Sequence, residues 1–434
     1  MRNEDERKIL TAKAVLLRVR RELARRLIKN FVLWMMPEFE VSAHHEVLFA
    51  EAQMIVDCVR DRKPYRGTIS LPPRHTKSLI FSVFLPALLL GIRPELKIIH
   101  ASYAASLSNG FSLRVRSMVG SDQRYNRLFP GTQLSKERQR IDDWMTSAGG
   151  KFKSVGVGGG ITGEGADIAI LDDIVKEGDE QSPATLESHW QWFASALQTR
   201  LSPGASIVIP MTRWSPLDIV GRIKANAASG GDAEQWRHLV LPALALENDP
   251  LGRKPGEALW PSWFSRKRLL ALRSLSARLF DALFQQMPRS SETIMFKKED
   301  FVRFDRRIDY ANQIWSFDLS LGETETSDYI AFARYALQQQ RLYVTNIRRV
   351  RKNWPEMKRL IIRMMRVFGD DLFVFPKHTY ELMAAQELRQ EKGGERVRQV
   401  AMKGDKRERA MPLSDWVENQ RVCVQVGRRG DVFI

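Results

Sequence analysis

Leu71-Pro72-Pro73-Arg74-His75-Thr76-Lys77-Ser78 is the stretch on which the reading of the fold turns. Its end matches the close of the pattern G-x-x-x-x-G-K-[ST], in which backbone N–H groups wrap phosphate oxygens, the lysine reaches the β/γ oxygens and the hydroxyl ligates Mg²⁺. Leu71 and Thr76 stand where that pattern has glycine. The flanks supply the strand–loop–helix context such a P-loop needs: Gly67-Thr68-Ile69-Ser70-Leu71 reads as a short buried strand, and Ser78 to Phe84 opens an apolar run suited to a packed helix. Alone, the octapeptide has two readings, a variant phosphate loop or a Pro-broken surface turn that happens to end in Lys-Ser.

At 434 residues the chain predicts two domains with material for real cores. Sixty-eight Lys+Arg against 51 Asp+Glu leave a net charge of +17, which points to a polyanionic partner such as nucleic acid; solvated Arg-rich faces are the plainer account. Cys58 and Cys423 form neither a metal-ligand spacing nor a disulfide framework, which suits a reducing compartment. The N-terminus lacks an apolar signal core, and the longest apolar run, Val83 to Leu90, is too short to span a bilayer, so secretion and membrane association are not expected.

Residues 1–62 predict a helical, Arg/Leu-rich adapter segment. Residues 63–290 predict a first α/β body: strands at Gly67–Leu71, Leu96–Ala101, Phe152–Val157, Asp167–Leu171 and Ala205–Pro210 alternate with helices, and a helical, basic stretch covers 216–286. Residues 291–311 read as a linker, and 312–434 as a second α/β body with strands at Ile314–Asp318, Tyr329–Ala336, Arg341–Ile347 and Leu372–Phe375 and a helix at Pro355–Val367.

Asp167-Ile168-Ala169-Ile170-Leu171-Asp172-Asp173 has the form of a Walker B element, a buried strand delivering carboxylates to the ligand-binding edge of a sheet. Asp172 is placed to hold Mg²⁺, and Asp173 to orient or deprotonate the attacking water; an ordinary strand ending in a solvated acidic turn is the competing account. A third strand, Ser206–Pro210, ends in Met211-Thr212-Arg213-Trp214, where Thr212 and Arg213 either sense a γ-phosphate or merely cap the strand. Six glycines between Gly156 and Gly165 imply tight turns ahead of the acidic strand. In the second body, Asp318 and Asp328 are strand-end carboxylates of the kind a two-metal nuclease uses, and equally of the kind found in surface turns.

Taken in order, Pro72 to Ser78, Ala101-Ser102-Tyr103-Ala104, Gly160 to Asp167 with Leu171-Asp172-Asp173, Met211 to Trp214, Gln285-Gln286-Met287-Pro288, Phe317-Asp318 with Ser327-Asp328-Tyr329, and Gly404 to Arg407 with Arg409-Ala410 resemble the motifs of tailed-bacteriophage terminase large subunits. The resemblance spans roughly residues 30–415. It implies a RecA-like P-loop ATPase domain followed by an RNase H-like nuclease domain, acting in the host cytoplasm to drive double-stranded DNA into a procapsid and to cut it. The partners implied are the terminase small subunit, the portal protein and further copies in a ring. The cofactors implied are ATP with Mg²⁺, and Mg²⁺ or Mn²⁺ for the nuclease. Pro73, Arg74, His75, Thr76, Lys77 and Ser78 would hold the nucleotide; Ser78 and Asp172 would hold Mg²⁺; Asp173, Arg74, Thr212 and Arg213 would act in hydrolysis and its coupling; Asp318 would hold the nuclease metal.

Two departures shape the expectations. Thr76 replaces the family's usual glycine and is strained if the position needs φ > 0. Leu372 to His378 lacks the second acid of the nuclease, Glu381 lies beyond it, and Asp431 falls too early for the last acidic cluster, so the nuclease domain is expected to be incomplete and C-terminally truncated, which leaves its cleavage activity open. A helicase or recombination ATPase on the same core, and a DNA-binding prophage remnant without catalysis, are the alternatives.

Overall fold

The computed structural model describes residues 2–229, 235–289, 296, 298–305, 313–319, 329–402 and 406–426. It divides into two compact units, 1–273 with 278–290, and 274–277 with 291–434.

The first unit begins with α1 (Arg2–Arg26), α2 (Ile28–Met35) and α3 (Ala43–Arg60). Beyond them lie β1 (Arg66–Ser70), α4 (Lys77–Leu79), a π-helical turn at Ile80–Phe84, α5 (Leu85–Ile92), β2 (Lys97–Ser102), α6 (Ala105–Ser121) and α7 (Gln123–Leu128). Strands β3 (Leu134–Arg140), β4 (Asp143–Thr146), β5 (Lys151–Gly156), β6 (Ala166–Leu171), β7 (Leu201–Met211) and β8 (Arg237–Val240) complete one sheet, in the order β3-β4-β5-β2-β6-β7-β1-β8. From β5 to β8 every pairing is parallel, and β3 and β4 add an antiparallel edge. The parallel strands are apolar on both faces because helices cover both. Ile69, Ile98, Ile168, Ile170 and Val208 belong to one core cluster, whereas Ile99, Ala169, Leu171, Ile207 and Ile209 belong to another.

Strand β7 lies between β1, which feeds the Lys77 loop, and β6, which ends at the acidic pair. This is the strand order of a RecA-like core. Because the strands are parallel, the loop, the acidic pair and Thr212 all emerge at one sheet edge, where open α/β folds bind ligands. The stretch 216–286, expected to be helical throughout, is corrected. After α8 (Pro183–Gln191), which precedes it, the stretch holds α9 (Ile219–Ala228), the edge strand β8, an irregular run with an isolated bridge Leu244–Ala258, then α10 (Arg266–Leu275) and α11 (Ala277–Leu283). Strand β8 escaped notice because an edge strand of four half-exposed residues, Arg237-His238-Leu239-Val240, shows no buried apolar run.

The second unit holds β9 (Val302–Phe304), β10 (Ile314–Asp318), β11 (Ile330–Gln338), β12 (Arg341–Val350), α12 (Trp354–Val367), β13 (Leu372–Pro376), α13 (Thr379–Arg389), β14 (Val397–Val400), α14 (Lys406–Glu418) and β15 (Val422–Gln425). The sheet order is β14-β13-β10-β11-β12-β15-β9. Strands β10, β11 and β12 form an antiparallel meander, while β13 runs parallel to β10 and β14 parallel to β13, which is the RNase H-like arrangement. Phe317 fixes the centre by stacking on Phe375 with ring centroids 4.8 Å apart.

Candidate functional site

The loop after β1 is shaped by two non-glycine residues in the left-handed region, Arg74 at φ 61° and Thr76 at φ 66°. Thr76 adopts the glycine-like conformation anticipated for its position, with its hydroxyl donating to the His75 carbonyl at 2.7 Å. Lys77 then begins the helical run 77–92.

Lys77 is only 5% exposed, and its Nζ donates to Asp173 Oδ2 at 2.8 Å and to Thr212 Oγ1 at 3.0 Å. The Thr212 backbone N–H donates to the other oxygen of Asp173 at 2.8 Å, and the Thr212 hydroxyl donates to the Leu71 carbonyl at 3.3 Å. Residues from β1's loop, β6 and β7 thus close one hydrogen-bonded ring.

Beside it, Asp172 is fully buried and accepts from Ser78 Oγ at 3.0 Å and from Ser82 Oγ at 2.7 Å. Burial, and then the Asp173 charge, push the Asp172 carboxyl up to about 7, while Lys77 and the two serines pull the other way. A buried carboxylate with hydroxyls but no full counter-charge is a site that welcomes a cation. Ser78 and Asp172 offer the hard oxygens that Mg²⁺ takes when most of its shell is water and phosphate.

His75 is placed differently from expectation. Its ring packs away from the ring of polar groups, stacked on Phe264 at 5.2 Å and within 5.8 Å of His44, and its Nδ1 lies 2.9 Å from the Pro73 carbonyl. The side chain anchors the loop instead of facing a phosphate. Burial lowers His75 to about 4. Arg74 is solvent-exposed on the loop, and Pro73 is half-buried.

Arg213 is paired with a carboxylate. Its Nε donates to both oxygens of Asp218, at 3.0 and 2.8 Å, in a buried pair. Asp218 additionally accepts from the backbone of Gly221 at 2.8 Å as the N-cap of α9. The Arg213 N–H donates to Gln286 Oε1 at 3.1 Å, and Gln285 bonds Leu244 through both its amide atoms, at 2.9 and 3.0 Å. Arg213 therefore braces the end of β7, Gln286 ties the junction segment to it, and Gln285 ties the same segment to Leu244.

Sequence reading missed Ser82 and Asp218. Ser82 lies four residues after Ser78 on the same helical face, and Asp218 precedes a helix with its capped N–H three residues on; both spacings were legible.

In the second unit Asp318 ends β10 and lines a cleft of about 660 Å³ together with Ser316, Tyr335, His378 and Arg409. It is the one acidic residue among the described residues lining that cleft. Asp371, at the start of β13, is held by Arg334 Nε at 2.7 Å and Trp315 Nε1 at 3.0 Å. Glu381 is buried on α13. Asp328, Asp405 and Asp431 lie outside the described residues. One carboxylate does not fit a pair of divalent cations, each of which needs several oxygens.

Solved structures of bacteriophage large terminases are similar to this chain. The large terminase of the thermophilic bacteriophage D6E is 11% identical over 85% of this chain and 83% of that one, with a TM-score of 0.34. The ATPase domain of the Thermus phage P74-26 large terminase is 14% identical over 52% of this chain and 90% of that one, at 0.31. The large terminase nuclease of thermophilic phage G20c, with bound magnesium, is 13% identical over 30% of this chain and 72% of that one, at 0.23. No family model matches the chain, and no curated protein matches it. No helix among the described residues is long and apolar enough to cross a membrane.

Proposed function

We propose that the chain is the ATP-hydrolysing motor subunit of a viral DNA-packaging machine, carrying an RNase H-like module whose described residues supply too few acids for two-metal cleavage. The observation that carries the ATPase reading is the closed ring of Lys77, Asp173 and Thr212 beside the Ser78–Asp172–Ser82 cluster, at one edge of a parallel sheet.

Lys77 has Asp173 as its resting counter-charge. A triphosphate entering the loop competes for the Lys77 ammonium, and the exchange leaves Asp173, still oriented by the Thr212 N–H, to accept a proton from the attacking water. Thr212 touches both members of the resting pair, so it registers which partner Lys77 holds and passes that state into β7. Mg²⁺, held by Ser78 and Asp172, would neutralise charge on the β/γ oxygens. Arg74 is exposed at the loop and adds positive charge there; Arg213 and His75 keep the scaffold rigid.

The net charge of +17 fits a DNA partner. Double-stranded DNA, a small subunit, a portal protein and further copies in a ring are the partners this reading requires, in the cytoplasm of an infected bacterium. The test separates binding from chemistry. Asp173→Asn should bind ATP yet hydrolyse it at least a hundredfold more slowly, whereas Lys77→Ala should fail to bind. Equal ATP affinity in wild type and Lys77→Ala would sink the proposal.

A further inference from the structure

We infer that the cleft between α1, α2 and α7 binds the phosphodiester backbone of a nucleic-acid strand. The cleft has a volume of about 550 Å³ and is lined by Arg20 of α1, Asn30, Leu33 and Trp34 of α2, and Arg124 and Arg127 of α7, with no acidic residue among the described residues of its lining.

The walls are tied to one another. Trp34 Nε1 donates to the Arg124 carbonyl at 3.1 Å, the Arg124 guanidinium donates to the Met35 carbonyl at 2.9 Å, and Arg25 Nε donates to the Leu128 carbonyl at 2.8 Å. Tyr125, on the inner face of α7, donates to the Ala87 carbonyl at 2.9 Å. The arginines therefore project from a rigid frame. Two acids of the framing helices are committed elsewhere: Glu22 to Arg25 and Arg26 at 3.5 and 2.6 Å, and Asp122 to the N–H groups of Arg124 and Tyr125 as the cap of α7. Neither Arg20 nor Arg127 has an ion-pair partner among the described residues.

Three arginines line one cleft with no acid among its described lining residues, and a polyanion supplies the negative charge that the lining lacks. Their planar forks match phosphate oxygens. Trp34, half-buried on the wall with the Arg21 guanidinium 5.9 Å from its ring, adds an aromatic surface on which an unpaired base can stack. None of these residues belongs to the Lys77–Asp173 ring. The inference rests on the proposed function only in taking DNA as the polyanion.

The test uses the full chain without ATP and fluorescein-labelled DNA, single-stranded and duplex, with anisotropy read over a salt series. Arg20→Ala/Arg127→Ala should raise Kd and reduce the slope of log K against log[salt] by about 2 for duplex, two phosphate contacts at about 0.9 each. Arg20→Lys/Arg127→Lys should keep the slope. Trp34→Phe should retain single-strand binding that Trp34→Ala weakens about fivefold or more; a duplex insensitive to Trp34 assigns the site to backbone contacts alone. An unchanged slope and Kd in the double Ala variant on both probes, as expected if the cleft holds an acidic protein instead, overturns the inference, as does loss of slope in the Lys variant. ATP hydrolysis read on the same preparations keeps the two ideas apart. A cleft effect in a protein that hydrolyses no ATP leaves this inference standing and removes the motor, and the reverse pattern does the opposite.

Discussion

Replacing Thr76 by glycine and by alanine gives a test whose sign is set by one dihedral angle. At φ 66° and ψ 4° Thr76 sits in the left-handed region directly before Lys77. A side chain there costs about 1–2 kcal/mol, and β-branching makes the conformation rarer still. The hydroxyl bond to the His75 carbonyl, 2.7 Å long, returns about 0.5–1.5 kcal/mol. Thr76→Gly removes the strain, loses that bond and adds about 0.5–1 kcal/mol of unfolded-chain entropy. These terms nearly cancel, so stability should move by less than about 1 kcal/mol. Thr76→Ala loses the bond and keeps most of the strain, and should cost about 1 kcal/mol. Glycine should therefore be the more stable by about 0.5–1 kcal/mol, the inverse of the order at ordinary positions, where alanine gains by reducing unfolded-chain freedom. Urea denaturation of the full chain, followed by circular dichroism and compared at a common slope, reads the difference. Alanine equal to or above glycine would refute the left-handed loop.

Asp218→Ala leaves the buried Arg213 guanidinium without its counter-charge and removes the α9 cap, and should destabilise the first unit by about 3–5 kcal/mol; a loss below about 1 kcal/mol in urea denaturation would show that the pair is not a brace. Burial lowers His44, His45, His75 and His100 from 6.5 to about 2, 4, 4 and 3, so the unfolded chain takes up more protons, and their contribution is full above pH 6.5 and lost as the pH falls toward 4. Asp172, raised to about 7, acts oppositely, its contribution being lost as pH rises through 7. Four groups against one predict that the urea midpoint falls between pH 7 and pH 5, and a steady or rising midpoint would contradict the buried neutral histidines. Plasmid cleavage in Mn²⁺ should stay near background and be unaltered by Asp318→Ala; robust cleavage abolished by that change would mean that further acids complete the cleft.

The parallel core was legible because buried strands such as Ile168-Ala169-Ile170-Leu171 are continuous apolar runs, and the acidic pair was legible because it ends one of them. Lys77, Ser78, Asp172, Asp173 and Thr212 converge because parallel strands deliver their ends to one edge. What could not be read was side-chain direction. His75 turns inward because its ring finds Phe264 and the other histidines, far away in sequence, and Arg213 turns to Asp218 because a buried guanidinium requires a carboxylate; Asp218 is legible from spacing as a helix cap but not as the counter-charge of Arg213. Strands β3, β4, β8, β9, β14 and β15 were missed for a different reason. All but β3 have only three or four residues each, too few to show a period, and β3 is a polar, largely exposed edge strand without an apolar run.

The most direct test of the motor is steady-state ATP hydrolysis with Mg²⁺, in the presence and absence of double-stranded DNA, for wild type and Lys77→Ala. Wild type should turn over ATP and accelerate with DNA, while Lys77→Ala should remain at background under both conditions. Equal, background-level rates for the two proteins would contradict the assignment of the Lys77–Asp173–Thr212 ring to ATP hydrolysis.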